Sequence, residues 1–274
     1  MKDLLVSQSL IKGFTDYKME KECGLLFKAK YLDGLQTPPS ATQKLGQFFE
    51  YLSTGALPKG GVAPECEMVY KGTPKEKPSA DYERAILSSE MYQDLISKLG
   101  IEVIETGKYI CDPVNKSHGT IDIYAKWERQ GEFNPNWNGE PYCFIDLKYT
   151  GLIDDKWNEF GWQVDSLPEK HGLMIQGVHY KSLAETTMAI ADIPFYYFLF
   201  HSKNPDYVKI IEQKIDETRA SEHRILVQKT RDMVLKELET GFKHYPSLLK
   251  CKECPLFESC EYKTTLPMVE VVYY

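Results

Sequence analysis

No apolar run in this sequence approaches the ~20 residues that a membrane-spanning helix requires, so no membrane partner is expected. The opening residues, MKDLLVSQSLIKGF, are partly acidic and show no cleavage-site pattern. A secretory leader is therefore not expected there, and the expected location is cytoplasmic. A cationic surplus is missing too: 33 Lys and Arg face 40 Asp and Glu, for a formal net charge of −7. That argues against a protein gripping nucleic acid by a basic surface alone. It does not argue against metal-assisted chemistry, because carboxylates gathered around a cation contribute less negative field than their count suggests. There is no internal repeat, no long low-complexity segment and no GxxxxGK[ST] loop. The chain is thus not expected to be its own NTP-driven motor.

What is present is an ordinary globular balance over 274 residues, 42% hydrophobic and 27% charged, not the composition of a disordered chain. Seven cysteines occur, Cys23, Cys66, Cys111, Cys143, Cys251, Cys254 and Cys260. Their odd number, with no leader, favours metal ligation over disulfides.

Periodicity gives a coarse outline. Residues 4–31 read as helical. Ser40 caps a helix to about Thr54, stopped by Gly55, with Leu45, Phe48, Phe49 and Leu52 as its apolar stripe. Residues 55–80, rich in Gly, Pro and Lys, read as a flexible loop. A second helix over 81–99 ends at Gly100. Strands follow at 101–111, 119–127 and 142–149, the three suggesting an antiparallel meander. A helix at about 172–190, strands at 194–202 and 207–215, and a helix at 217–240 stopped by Gly241 complete the core. This order fits one α/β domain around a mixed sheet.

Two strands carry chemistry. Asp146 and Lys148 stand two apart in YCFIDLKYT, so their side chains share one face. Asp122 sits in GTIDIYAKW on the preceding strand. If the strands are neighbours, the three side chains converge. Two close carboxylates repel unless a cation separates them, and a hard ion such as Mg²⁺ or Mn²⁺ prefers oxygen ligands. Such an ion acidifies a water and stabilises charge on a phosphate; a lysine beside that water can orient it. A DLK triplet alone is more often an ion pair on a solvated strand face. His118, Lys126, Lys156 and Lys181 are weaker candidates for phosphate contacts, and Trp157, Phe160 and Trp162 for base stacking.

In sequence order, HGTIDIYAKW, YCFIDLKYTG and QGVHY resemble motifs of the PD-(D/E)XK nucleases, particularly the RecB-like branch. The resemblance implies that Asp122 and Asp146 bind Mg²⁺ or Mn²⁺ together with the Leu147 carbonyl, and that Lys148 serves the attacking water. Gln176 and Tyr180, on one helix face at i, i+4 spacing, would support Lys148 or the DNA backbone. Gly46-Gln47-Phe48-Phe49-Glu50 resembles that branch's early G-x-x-x-(H/E) helix, which makes Glu50 the third acidic ligand, with Gly46 leaving room beside it. Glu83 or Glu90 would be the substitutes.

Cys251-x-x-Cys254-x5-Cys260 supplies three closely spaced thiolates, and Cys23 is the natural fourth. A Cys₄ set suits Zn²⁺ or a [4Fe-4S] cluster. One cysteine before the core and three after it resemble the iron–sulfur subgroup of RecB-like nucleases, which includes the nuclease domain of AddB and the CRISPR adaptation exonucleases. That resemblance implies a [4Fe-4S] cluster. It also implies a restriction-endonuclease-like α/β fold in one domain over residues 1–274, with 1–40 and 241–274 joined as a clasp by the cluster. The implied activity is exonucleolytic hydrolysis of DNA at single-stranded or free ends, in repair or recombination, with a helicase or recombination partner. A catalytically silent DNA-binding or assembly subunit, or a zinc-clasped RNA-processing nuclease, are the alternatives.

Overall fold

The helical stretch expected over 4–31 resolves into two helices, α1 (Gln8–Lys18) and α2 (Gly24–Tyr31). Ser7 caps α1 by accepting from the Leu10 amide at 3.1 Å. The chain then turns through Glu20, held at a left-handed φ of 58°. Neither Gly nor Pro marks this break, so composition gave no warning of it. The computed structural model describes residues 3–58, 60–72, 75–137, 139–153, 167–190 and 192–263. It divides the chain into a larger unit, Pro39–Arg224, and a smaller one that combines Met1–Pro38 with Ile225–Tyr274.

In the larger unit, α3 (Ala41–Thr54) starts with a reciprocal cap: the Gln43 amide donates to Ser40 Oγ at 3.3 Å and the Ser40 amide donates to Gln43 Oε1 at 2.8 Å. Gly55 ends it at φ 72°, a left-handed stop that glycine adopts without steric cost. Phe48 and Phe49 are buried, but Leu52 is 37% exposed and Ser53 takes the inward position, so the apolar stripe stops one turn early. Within the expected 55–80 loop lies a short antiparallel pair, β1 (Met68–Tyr70) and β2 (Glu76–Pro78). Helix α4 (Ala80–Leu99) ends at Gly100, φ 66°.

The sheet is built from β3 (Ile101–Asp112), β4 (Ser117–Trp127), β5 (Tyr142–Thr150), β6 (Phe195–His201) and β7 (Val208–Glu212), in that spatial order. A four-residue helix, α5 (Gln130–Phe133), lies between β4 and β5 in the chain. Strands β3, β4 and β5 form the expected antiparallel meander. Strand β6 pairs parallel to β5 and antiparallel to β7, which makes the sheet mixed. A parallel neighbour needs a crossover, and α6 (Leu167–Thr187) lies in that connection.

Strand β6 reads FYYFLFH, and its first six residues are all buried, as expected for a strand covered on both faces. Tyr196, Phe198 and Phe200 join Ile145 and Leu147 of β5 in one core with Phe48, Phe49 and Tyr92 from α3 and α4. Phe195, Tyr197 and Leu199 join Phe144 in a second core with Tyr180, Leu183 and Ala184 from α6. By strand alternation Asp146 shares the second face with Phe144. The expected fold class, α/β with a mixed sheet flanked by helices, is the one observed.

The smaller unit contains α1, α2, the part of α7 (Glu217–Thr240) from Ile225 onward, and α8 (Leu248–Lys252). Its core is aromatic: Phe14, Tyr17, Phe27 and Phe242 pack with ring centroids 5.5–5.7 Å apart. Gly24 is required there, because a Cβ would run into the Lys243 carbonyl, which accepts the Gly24 amide at 3.0 Å. Among the described residues no helix is long and apolar enough to cross a membrane.

Candidate active site and cysteine cavity

Asp146 is 2% exposed, and both of its carboxylate oxygens are engaged. Lys148 Nζ pairs with Oδ2, and Gln176 Nε2 donates to Oδ1. The β4–β5 ladder records Ile123 opposite Ile145; one step further along the antiparallel register Asp122 comes to Asp146. Asp122 Oδ2 accepts the Leu147 amide at 3.1 Å. Tyr180 is buried at 8% exposure and stacks on Phe195. It therefore lies behind Gln176 rather than on a surface open to a DNA backbone. Gly119 makes this possible, since a Cβ there would come within 2.5 Å of the Tyr180 ring. This close approach is the physical reason for the glycine that opens GTID.

The electrostatics join these side chains to Glu50 on α3. Burial raises the Glu50 carboxyl to about 7, the negative charge of Asp122 adds to that, and Lys148 opposes it. Burial also raises Asp146 to about 8, with Lys148 opposing and Asp122 and Glu50 adding. Asp122 is raised by burial, against Lys148, the Leu147 amide and a hydrogen bond with Asp146. Desolvation pulls Lys148 down, but Asp146, Asp122 and Glu50 outweigh it and the net direction is up. Lys148 is therefore held as an ammonium. Three acids around one lysine leave surplus acid in a partly buried site, and protons are held there in place of charge. That donor chemistry suits a hard divalent cation, for which Asp122, Asp146 and Glu50 could supply oxygens.

Among the described residues no three His, Cys, Asp or Glu side chains already stand in a metal-holding arrangement. At the acidic site the Asp146 oxygens are taken by Lys148 and Gln176. Glu83 and Glu90 are exposed, and Glu83 pairs with Lys77 at 3.4 Å, so neither takes the place of Glu50. Open space surrounds the position of a Cβ at Gly46, so packing gives no reason for a glycine there. Lys126 pairs with Glu128 at 2.5 Å and Lys181 with Asp192 at 2.8 Å. His118 packs its ring on Tyr109 at 5.7 Å. Lys156, Trp157, Phe160 and Trp162 lie outside the described residues.

Sequence reasoning missed a buried imidazole pair. His179 Nδ1 meets His223 Nε2 at 3.0 Å, and His179 Nε2 lies 2.9 Å from the His118 carbonyl. A carbonyl only accepts, so Nε2 of His179 carries the proton and Nδ1 accepts from His223. No spacing rule links residues from separate helices in this way.

In the smaller unit Cys23, Cys251, Cys254 and Cys260 line one cavity of about 240 Å³, together with His244, Tyr262 and Lys250. None of the four is in a disulfide. Burial raises Cys254, and the nearby Cys23, Cys260 and Cys251 add to the shift. The other three cysteines belong to the larger unit. Cys143 is fully buried in the β5 core, Cys66 packs at the edge of that core, and Cys111 is on β3.

No family model matches the chain, and no curated protein matches it. Among solved structures the chain is similar to a protein named "Putative exonuclease" from Eubacterium rectale, with a TM-score of 0.59 at 14% identity, over 97% of this chain and 91% of that one. At that identity the likeness establishes the fold.

Proposed function

We propose that the chain is a metal-dependent deoxyribonuclease that hydrolyses phosphodiester bonds at single-stranded or free DNA ends. The observation that carries this reading is the set of Asp122, Asp146 and Glu50 around Lys148, Asp146 buried and the other three half-buried, with acid in excess of base. The fold shared with a protein named as an exonuclease supports it. A Mg²⁺ or Mn²⁺ ion bound there supplies Lewis acidity and an acidified water. Asp122, Asp146, Glu50 and the Leu147 carbonyl hold the ion. Lys148, kept protonated by its acidic neighbours, orients water and faces the phosphate with a fixed positive charge; it is not a free base. Gln176 fixes the Asp146 carboxylate, and Tyr180 fixes Gln176. Strand feeding by a helicase or recombination partner fits a chain with no motor loop of its own.

We infer that Cys23, Cys251, Cys254 and Cys260 hold a [4Fe-4S] cluster. The order of these cysteines, one before the core and three after it, supports the cluster, and all four line one cavity.

The engaged state of the Asp146 oxygens favours a second reading, a silent DNA-binding subunit that keeps the fold. End-labelled single-stranded DNA, duplex DNA and RNA, each incubated with Mn²⁺ and with either wild type or Lys148→Ala, separate the readings. The nuclease reading expects shortening of single-stranded DNA by wild type and at least a ~100-fold loss in the variant. Binding without cleavage by wild type supports the silent subunit, and preferential cleavage of RNA supports the RNA-processing reading.

A further inference from the structure

We propose that His179 is a positioning residue for the acidic site: its hydrogen bond to the His118 carbonyl ties the helix that carries Gln176 to the strand that carries Asp122. The proposal rests on the nuclease reading above. Gln176, His179 and Tyr180 stand at i, i+3 and i+4 on α6, so they share one face of that helix. Each reaches a different part of the site's frame. Gln176 Nε2 donates to Asp146 Oδ1 on β5. His179 Nε2 donates to the His118 carbonyl on β4 at 2.9 Å. The Tyr180 ring lies over Gly119. From His118 the same strand runs four residues on to Asp122. One hydrogen bond thus sets the helix that orients Asp146 against the strand that supplies Asp122.

His223 gives that bond its direction. The two imidazoles are 1% and 5% exposed, and burial keeps both of them neutral. A neutral imidazole carries one N–H, and the bond made at one ring nitrogen fixes the proton on the other. His223 Nε2 donates to His179 Nδ1 at 3.0 Å, so the His179 proton stays on Nε2, where the carbonyl accepts it. Without that donor the other tautomer would set a lone pair against the carbonyl oxygen. The turn that carries Gln176 is also closely packed against the strands beyond. A Cβ on Gly177 would come within 2.0 Å of Gln213 Oε1, and that oxygen accepts the Tyr197 hydroxyl at 3.2 Å. Outer groups that hold ligand-bearing side chains in place commonly change metal affinity or activity by ~10- to 100-fold.

The test uses full-length wild type, His179→Leu, His179→Gln and His223→Leu. Cleavage of single-stranded DNA with Mn²⁺, well below each melting temperature, gives kcat and KM per folded molecule. Electron paramagnetic resonance of free Mn²⁺ gives ion binding without DNA. We expect His179→Leu to lose ~10-fold in kcat, with KM for DNA unchanged, and to bind Mn²⁺ more weakly. His179→Gln, which keeps an N–H donor, should recover most of both. His223→Leu should move in the same direction by less, and it carries the test if His179→Leu does not fold. A lower melting temperature with wild-type kcat and Mn²⁺ binding in the Leu variants makes the pair a packing element only and overturns the proposal. Equal losses in His179→Leu and His179→Gln overturn it too, because the donor then carries nothing. Absence of cleavage by wild type overturns the nuclease reading; Mn²⁺ binding then decides the present proposal by the same comparison of variants.

Discussion

The acidic site of the larger unit and the cysteine cavity of the smaller one differ in how their side chains are satisfied. At the acidic site the protein compensates internally: Lys148 and Gln176 take the Asp146 oxygens, the Leu147 amide takes Asp122, and raised carboxyl pKa values replace charge with protons. In the cysteine cavity the four cysteines, none of them in a disulfide, line a volume of about 240 Å³. The difference teaches what each occupant does. On the reading proposed above, an ion at the acidic site would exchange with protons and a lysine and serve chemistry more than folding, whereas a group held by the cysteines would serve folding.

This contrast can be broken by experiment. The largest effect is expected from Cys251→Ser. Protease should then cut within residues 1–38 and 225–263 while the 39–224 unit persists; uniform resistance in the variant would erase the contrast. EDTA, by comparison, should abolish cleavage and leave the melting temperature nearly unchanged. Next is Gln176→Ala, which removes the amide from Asp146 Oδ1. Support groups of this kind typically change activity by ~10- to 100-fold, and we expect that loss in the cleavage rate with little change in melting. A wild-type rate would mean that Gln176 does not position Asp146.

The smallest effect concerns pH. Burial lowers His179 to about 4 and His223 to about 3. The unfolded chain, with imidazoles near 6.5, then binds protons that the native state refuses, so the pair's contribution to stability falls as pH drops from about 6.5 towards 3. The raised carboxyls Glu50 and Asp146 act in the opposite sense: native protein keeps protons that the unfolded chain releases, and their contribution falls as pH rises from about 4 to 8. The two are separated by comparing denaturant midpoints of wild type and His179→Gln/His223→Gln. Between pH 7 and pH 6 wild type should lose about 1 kcal/mol more than the double variant. Parallel curves would remove the imidazole pair from the account.

What could be read from sequence was whatever local chemistry enforces. Ser40 with Gln43, and the glycines at 55 and 100, set helix ends through bonds and backbone angles within a few residues. The alternation around Asp122, Asp146 and Lys148 put these residues on strands that do pair. The break after Lys18 escaped notice because Glu20, not glycine, takes the left-handed turn. The β1–β2 pair was hidden in a loop composition, and Leu52 gave up its inward place to Ser53 because the three-dimensional neighbours of α3, not its own period, decide burial. Gly119 against Tyr180, the His179–His223 pair and the bond from the Gly24 amide to the Lys243 carbonyl join residues distant in the chain, which no local pattern encodes.

The central claim is that Asp146 carries metal-dependent cleavage. Its most direct measurement is Mn²⁺-dependent shortening of end-labelled single-stranded DNA by wild type and Asp146→Asn, a substitution that keeps shape and removes the ligand charge. The account expects cleavage by wild type and at least a ~100-fold loss in the variant with its melting temperature retained. Equal cleavage by both proteins would contradict it.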